Sequence, residues 1–316
     1  MIRGAAMERE ILEQPKVLRE QAGQYFESAR QALAGKSFDM ILLAARGSSD
    51  NAALYARYLF EIHLGIPVTL AAPSVLTKYG RQIRYPNCLA IGISQSGAAP
   101  DVSEVLADMR SQGHTTLAIT NTAGSRLTRE AEFSILLEAG LEQSIAATKT
   151  YTASLLALAQ VVRAAGGDLP DPTSSLPSDA WLEECRASAE AASGDVVRCS
   201  PVFSLGRGYS YCTAVETALK LMECALISAK SYSTADFEHG PKALANHGTA
   251  CVVYGNVPAG LAGTGASVVQ APAFEDSPYA PLGNIFFGQW LALLTARARG
   301  LDPDRAQNLS KVTETL

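Results

Sequence analysis

Three polar clusters stand out in a chain of 316 residues that is otherwise 47% hydrophobic. The first is Ser94-Gln95-Ser96-Gly97, which leaves an apolar run ending at Ile93 and precedes a helix starting near Asp101. Hydroxyls, a carboxamide, a flexible glycine and the N–H groups of a helix start make a compact donor set for a phosphate. Pro100 pre-sets the first turn of that helix, and Asp101 can cap or open it. A plain polar turn would share this composition, so a second hydroxyl pair matters. Ser48 and Ser49 follow an earlier apolar strand at Arg46-Gly47. In a parallel sheet of switch-point order the first and third strands are neighbours, and both clusters then face one crevice.

The third cluster is Glu216, Lys220 and Glu223, spaced i, i+4, i+7 and therefore on one stripe of a helix running from about Cys212 to Ala229. Such spacing also suits an exposed, salt-bridged face. Here Ala214, Val215, Ala218, Leu219, Leu221, Met222, Ala225, Leu226 and Ile227 fill nearly all other directions, so the helix reads as buried. A charged stripe on a buried helix needs a ligand, a cavity or compensating partners. His239 follows in the loop Glu238-His239-Gly240-Pro241, where an imidazole that titrates near neutrality suits acid–base work as well as no role at all. Lys311 sits in a polar tail, where a lysine on its own is ordinarily just solvated.

The elements that must position these residues follow from hydrophobic patterning. Residues 1–33 read as an amphipathic helical lead. Met40–Ala44, Val68–Ala71, Cys88–Ile93, Thr116–Thr120 and Phe133–Leu137 read as strands, and the segments Asn51–Leu64, Val102–Gln112 and Tyr151–Ala165 as helices. Continuous apolar strands alternating with helices predict an α/β fold, a parallel sheet covered on both faces as a three-layer αβα sandwich of flavodoxin-like order, over residues 34–165. Residues 166–195, rich in Gly, Pro and Ser at their start, read as a linker and a helix. A second unit over 196–305 begins with Val202–Leu205 and Gly206-Arg207-Gly208, echoing Ala45-Arg46-Gly47. It continues with strands at Cys251–Tyr254 and Val268–Gln270 and a helix over Asn284–Arg299, leaving 306–316 as a tail.

Composition sets the bounds. A net charge of −5 supplies no basic field for nucleic acid, so an anionic ligand must be held by local, directed hydrogen bonds. No secretory signal opens the chain and the longest apolar stretches are too short to span a bilayer, so no membrane partner is expected. Six cysteines without a C-x-x-C pair read as buried thiols in a reducing, cytoplasmic setting. Four scattered histidines offer no metal-ligand spacing, and neither a metal nor another cofactor is expected.

In this order the motifs resemble the sugar isomerase (SIS) family, and in particular the isomerase half of glucosamine-6-phosphate synthases. Ala45-Arg46-Gly47-Ser48-Ser49, Ser94-Gln95-Ser96-Gly97 and Ala146-Ala147-Thr148-Lys149 are similar to its first SIS domain. Leu205-Gly206-Arg207-Gly208, the Glu216–Lys220–Glu223 helix and Glu238-His239-Gly240-Pro241 are similar to its second. The lead Glu10-Ile11-Leu12-Glu13-Gln14-Pro15 and the tail Asn308-Leu309-Ser310-Lys311 are also similar. The resemblance implies two SIS domains and a phosphate on Ser49, Ser94, Gln95 and Ser96. It implies Glu223 as the carboxylate that moves a proton between C1 and C2, Lys220 beside the sugar hydroxyls, and His239 as a ring-opening group given by a neighbouring subunit of a homodimer. Lys311 would close over the site and form an imine with the open-chain ketose.

There are departures. Ala99 and Ala147 stand where the family has threonine and serine, so Ala147 contributes to the ligand shell without a hydroxyl. Between Tyr254 and Val268 about one βα unit is missing, which predicts a shortened second domain. No catalytic cysteine stands near the start and there is no room for a glutaminase domain, so ammonia production from glutamine by this chain is not expected. The resemblance therefore implies a deaminase–isomerase, nearest to SIS-type glucosamine-6-phosphate deaminases. Isomerases or fructosamine deglycases acting on related amino-sugar phosphates are an alternative, and so is a sugar-phosphate sensor without catalysis.

Overall fold

The structure, a computed structural model, describes residues 2–305, 308, 309 and 311. Ser310 and most of the predicted tail lie outside the described residues. Two parallel sheets, each flanked by helices, make up an α/β fold, and the chain divides into two compact units that are taken one at a time.

The first-sheet unit is formed by residues 16–141 and 149–174. Its strands are β1 (Met40–Ala44), β2 (Val68–Leu70), β3 (Cys88–Ile93), β4 (Thr115–Thr120) and β5 (Phe133–Leu136). The helices between and after them are α2 (Ser48–His63), α3 (Ser74–Thr77), α4 (Pro100–Ser111), α5 (Arg126–Glu130) and α6 (Lys149–Ala164), following α1 (Ala5–Leu33). All strands are parallel, in the order β2-β1-β3-β4-β5, so the adjacency of the first and third strands expected for a switch point is present. Every residue of β3 is buried, as expected where helices cover both faces. On one of those faces Leu42, Ala44, Cys88 and Ala90 pack under Val102, Val105, Leu106 and Met109 of α4.

The second-sheet unit is formed by residues 1–15, 142–148 and 175–311. Its elements are α7 (Asp179–Val196), β6 (Val202–Gly206), α8 (Ser210–Ala225), β7 (Ala229–Ser233), α9 (Thr234–Glu238), β8 (Ala250–Val253), β9 (Ser267–Gln270) and α10 (Ala280–Ala298). The sheet has four parallel strands in the order β7-β6-β8-β9. The expected shortening lies here: between β8 and β9 the chain makes only a short 3-10 turn at Ala262–Thr264, where the first-sheet unit places α4 between β3 and β4. Phe203, Leu205, Phe237, Cys251 and Val253 form a core on this sheet. The first turn of α1 is capped from the far end of the sequence. Asp302 accepts from Gly4 N at 2.8 Å, and Asp304 accepts from Ala6 N at 2.7 Å and Met7 N at 3.0 Å.

One sequence expectation needs correction. The helix expected to reach Ala229 ends at Ala225, and Ala229–Ser233 is the edge strand β7. Leu226 adopts a left-handed conformation (φ 51°, ψ 42°) and stops the helix without a glycine. All six cysteines are buried and free. Among the described residues no helix is long and apolar enough to cross a membrane.

Candidate active site

In the first-sheet unit the polar loops occupy carboxyl ends of adjacent strands, with Ala44 of β1 in register with Gly92 of β3. Ser48 and Ser49 form the first turn of α2. Ser94 to Gly97 leaves β3 and is braced from behind. Ser94 N donates to Ile119 O at 3.1 Å, while Gln95 O accepts from Asn121 N at 3.0 Å and Thr120 Oγ1 at 3.2 Å. Gly97 adopts φ 63°, and a Cβ there would lie 2.1 Å from Ser125 Oγ, so only glycine fits this turn. Ser94 is buried, and Gln95 and Ser96 are half-buried. Arg46 holds Asp101 at 2.6 Å, fixing the start of α4 against the β1–α2 joint. Ala99 occupies the N-cap of α4 and supplies no side-chain cap.

The charged stripe of α8 is one connected group in the second-sheet unit. Lys220 Nζ lies 3.3 Å from Glu216 Oε1 and 2.5 Å from Glu223 Oε2. Glu216 and Lys220 have no side-chain exposure, whereas Glu223 keeps 24%. Burial alone would push the lysine down, but the two carboxylates beside it reverse this and hold Lys220 above the ordinary lysine range. It therefore stays an ammonium, and the stripe leads from a sealed interior to one accessible carboxylate. The neighbouring Cys224 thiol is pushed up to about 12, chiefly by burial, which leaves it a protonated and inert spectator near neutrality.

Most apolar residues of α8 are buried with the charges, but Met222 and the C-cap Leu226 are 41% and 44% exposed.

Two residues complete this unit's polar chemistry. Lys311 Nζ binds Glu142 Oε2 at 2.9 Å, and Glu142 is fully buried. Glu142 Oε1 accepts from Thr148 N at 3.0 Å and from Thr148 Oγ1 at 3.3 Å, closing the loop 142–148 that contains Ala147. That loop is held a second time by Glu10, whose Oε2 accepts from Ser144 Oγ at 2.6 Å. Burial outweighs these hydrogen bonds and raises the Glu10 carboxyl. Glu142 escapes the motif reading because a single glutamate ahead of Ala146-Ala147-Thr148 has no periodic or spacing signal. Its partner lies 169 positions away.

His239 caps the C-terminal end of α9 and is exposed, and its imidazole makes no hydrogen bond or ion pair among the described residues. No hydrogen bond or ion pair among the described residues brings it to the α8 stripe. The predicted set thus falls into three places: Ser48, Ser49, Ser94, Gln95 and Ser96 in the first-sheet unit; Lys220, Glu223, Lys311 and Ala147 in the second; and His239 on the surface of the second.

Known proteins place this geometry. The family model of the SIS domain matches residues 37–164. The match covers the first SIS-type sheet only, and the second sheet carries the same strand order without its fifth strand. The glutamine–fructose-6-phosphate aminotransferase (isomerizing) of Methanothermobacter thermautotrophicus is 31% identical over 339 aligned positions, covering 96% of this chain and 56% of that protein. This chain therefore spans little more than half the length of that relative. Among solved structures, a candidate phosphosugar isomerase from Silicibacter pomeroyi DSS-3 shares 28% identity with a TM-score of 0.81, over 96% of this chain and 100% of the other. The glucosamine-6-phosphate deaminase of Thermotoga maritima shares the SIS-like fold at 24% identity and a TM-score of 0.81, over 98% and 100% of the two chains.

Proposed function

We propose that the chain is an amino-sugar-phosphate isomerase of the deaminating type, which converts glucosamine 6-phosphate and water to fructose 6-phosphate and ammonia. The observation that carries this reading is Glu223, the one accessible carboxylate of an otherwise sealed charged stripe, held 2.5 Å from an ammonium that cannot discharge. A group so placed can take a proton and give it back without drifting from its position. The reading assigns the phosphate to Ser48, Ser49, Ser94, Gln95 and Ser96, whose binding energy orients the sugar chain.

Once the ring is open, Glu223 removes the proton from C2 and returns it to C1. The C1 oxygen gains a proton from the C2 nitrogen and becomes a hydroxyl, and C2 becomes an imine carbon. Ammonia then leaves as water adds at C2, either directly or after Lys311 Nζ has displaced it and formed an imine that water hydrolyses. Lys311 must shed a proton before it can attack, and the Glu142 carboxylate at 2.9 Å is placed to receive it. Ring opening is assigned to His239. Its exposure, and the exposed Met222 and Leu226 on α8, support a homodimer in which the imidazole serves the neighbouring subunit.

The test is a panel of amino-sugar phosphates read both by ammonia release and by ketose formation. Glucosamine 6-phosphate is expected to give both products, and Glu223→Gln to lower the rate by about 10²–10⁴-fold. Absence of both products across the panel overturns the reading. Thermal stabilisation by the sugars without turnover would instead favour a sensor, in line with the hydroxyls missing at Ala99 and Ala147.

A further inference from the structure

The second sheet has a crevice of its own. A cavity of about 490 Å³ opens at the carboxyl ends of β6, β8 and β9, lined among others by Arg207, Tyr209, Ser210, Phe274, Glu275 and Asn284. Its volume is that of a small-molecule site, and its place is where open parallel sheets bind ligands. None of these residues belongs to the machinery assigned above.

Two observations point to a ligand. The first is the state of Arg207. It repeats Arg46, because each arginine precedes a glycine in the left-handed region, Gly47 at φ 57° and Gly208 at φ 58°, at a strand-to-helix joint. Arg46 is held by Asp101 at the start of α4. Among the described residues the second sheet has only a short 3-10 turn between β8 and β9, where the first sheet has α4 with its Asp101. Arg207 is exposed, lines the cavity and makes no ion pair or hydrogen bond among the described residues.

The second observation is Asn284, which is 7% exposed. Its Oδ1 accepts from Phe274 N at 3.0 Å, and its amide nitrogen donates to nothing among the described residues. A donor with this freedom, on a residue that lines the cavity, is available to an acceptor there. The cavity also carries acceptors: Glu275, whose Oε1 is bonded by Ser277 Oγ, and Asp276. Tyr209 and Phe274 supply aromatic surface.

We infer that this cavity is a second binding site, separate from the phosphate loop of the first sheet, for a phosphorylated sugar. The guanidinium of Arg207 takes the phosphate, aided by Ser210 and the first N–H groups of α8. Asn284 donates to a sugar oxygen, and Glu275 and Asp276 accept from hydroxyl or ammonium groups.

Calorimetric titration of the 316-residue Glu223→Gln chain with glucosamine 6-phosphate, which such a chain binds without turnover, tests this. Two molecules per chain are expected, and adding Arg207→Ala weakens one of them by about 10- to 100-fold. Ser94→Ala with Ser96→Ala weakens the other. Arg207→Gln gives the same loss as Arg207→Ala, and both variants keep the thermal midpoint of the parent, since the side chain is exposed. One molecule per chain that ignores both Arg207 variants, two that ignore them, or no binding at all overturns the site. One molecule per chain that is lost with Arg207 and indifferent to the serines keeps this site and removes the phosphate loop from the proposed function.

Discussion

After β1 the chain passes Arg46-Gly47 into α2, and after β6 it passes Arg207-Gly208 into α8, with the glycine at nearly the same angle, 57° and 58°. The first arginine is an internal brace, tied to a buried carboxylate on α4. The second is exposed on a cavity wall, and no α-helix lies between β8 and β9 among the described residues. The two units also differ in what they bury. The first keeps a braced loop of small hydroxyls at its strand ends, whereas the second buries Lys220 and Glu216 along α8 and leaves Glu223 partly exposed. Under the proposed function, one fold plan serves two chemistries: neutral donors that suit a fixed dianion, and mobile protons that need charged groups held out of water. What a repeated residue does is decided by the element beside it.

The largest effect is expected where charge is buried. Lys220→Met leaves Glu216 in the interior without its ammonium and should cost about 3–5 kcal/mol in denaturant unfolding, with Glu216→Gln in the same chain restoring most of it. An unchanged midpoint for Lys220→Met would mean that the stripe is not charged in the folded state. Next come the glycines. Gly97→Ala meets both a left-handed backbone and Ser125, and should cost about 2 kcal/mol or more, together with a raised KM. Gly208→Ala meets only the backbone term, about 1 kcal/mol, because nothing lies within 4 Å of its Cβ position. Equal losses would remove the close packing as the distinguishing feature of the first-sheet loop. Smallest is the arginine pair. Arg46→Ala should lower stability by about 1 kcal/mol, the ion pair being half open to solvent, and Arg207→Ala should leave it within about 0.5 kcal/mol. A larger loss at Arg207 would show that it braces the second unit after all.

Much of this architecture could be read from residues alone. Met40–Ala44 and Cys88–Ile93 are unbroken apolar runs, and each is a strand within those bounds, because a parallel strand covered on both faces needs no alternation. The buried character of α8 was likewise legible, since its apolar residues leave the charged stripe no exterior to face. β7 was not legible. Ala229-Lys230-Ser231-Tyr232-Ser233 is a polar edge strand, and the helix before it stops at a left-handed leucine, a conformation that residue type does not announce. Glu142 was equally silent, because its role depends on a tail lysine far away in sequence. The cavity at Arg207 was hidden for a related reason: a missing helix is visible in the sequence as a short gap, but the side chain it leaves without a partner is not.

The capping of α1 by Asp302 and Asp304 has a consequence for the order of assembly. The described residues of the first-sheet unit all lie between positions 16 and 174, so its strands are all made before the residues beyond 174. The second-sheet unit needs residues from the opening turn of α1 and from beyond position 300. The turn at Gly4–Met7 must wait until Asp302 and Asp304 are made, with a large entropic loop still unclosed. Folding from the N-terminus onward therefore completes the hydroxyl-lined unit before the unit with the buried charges.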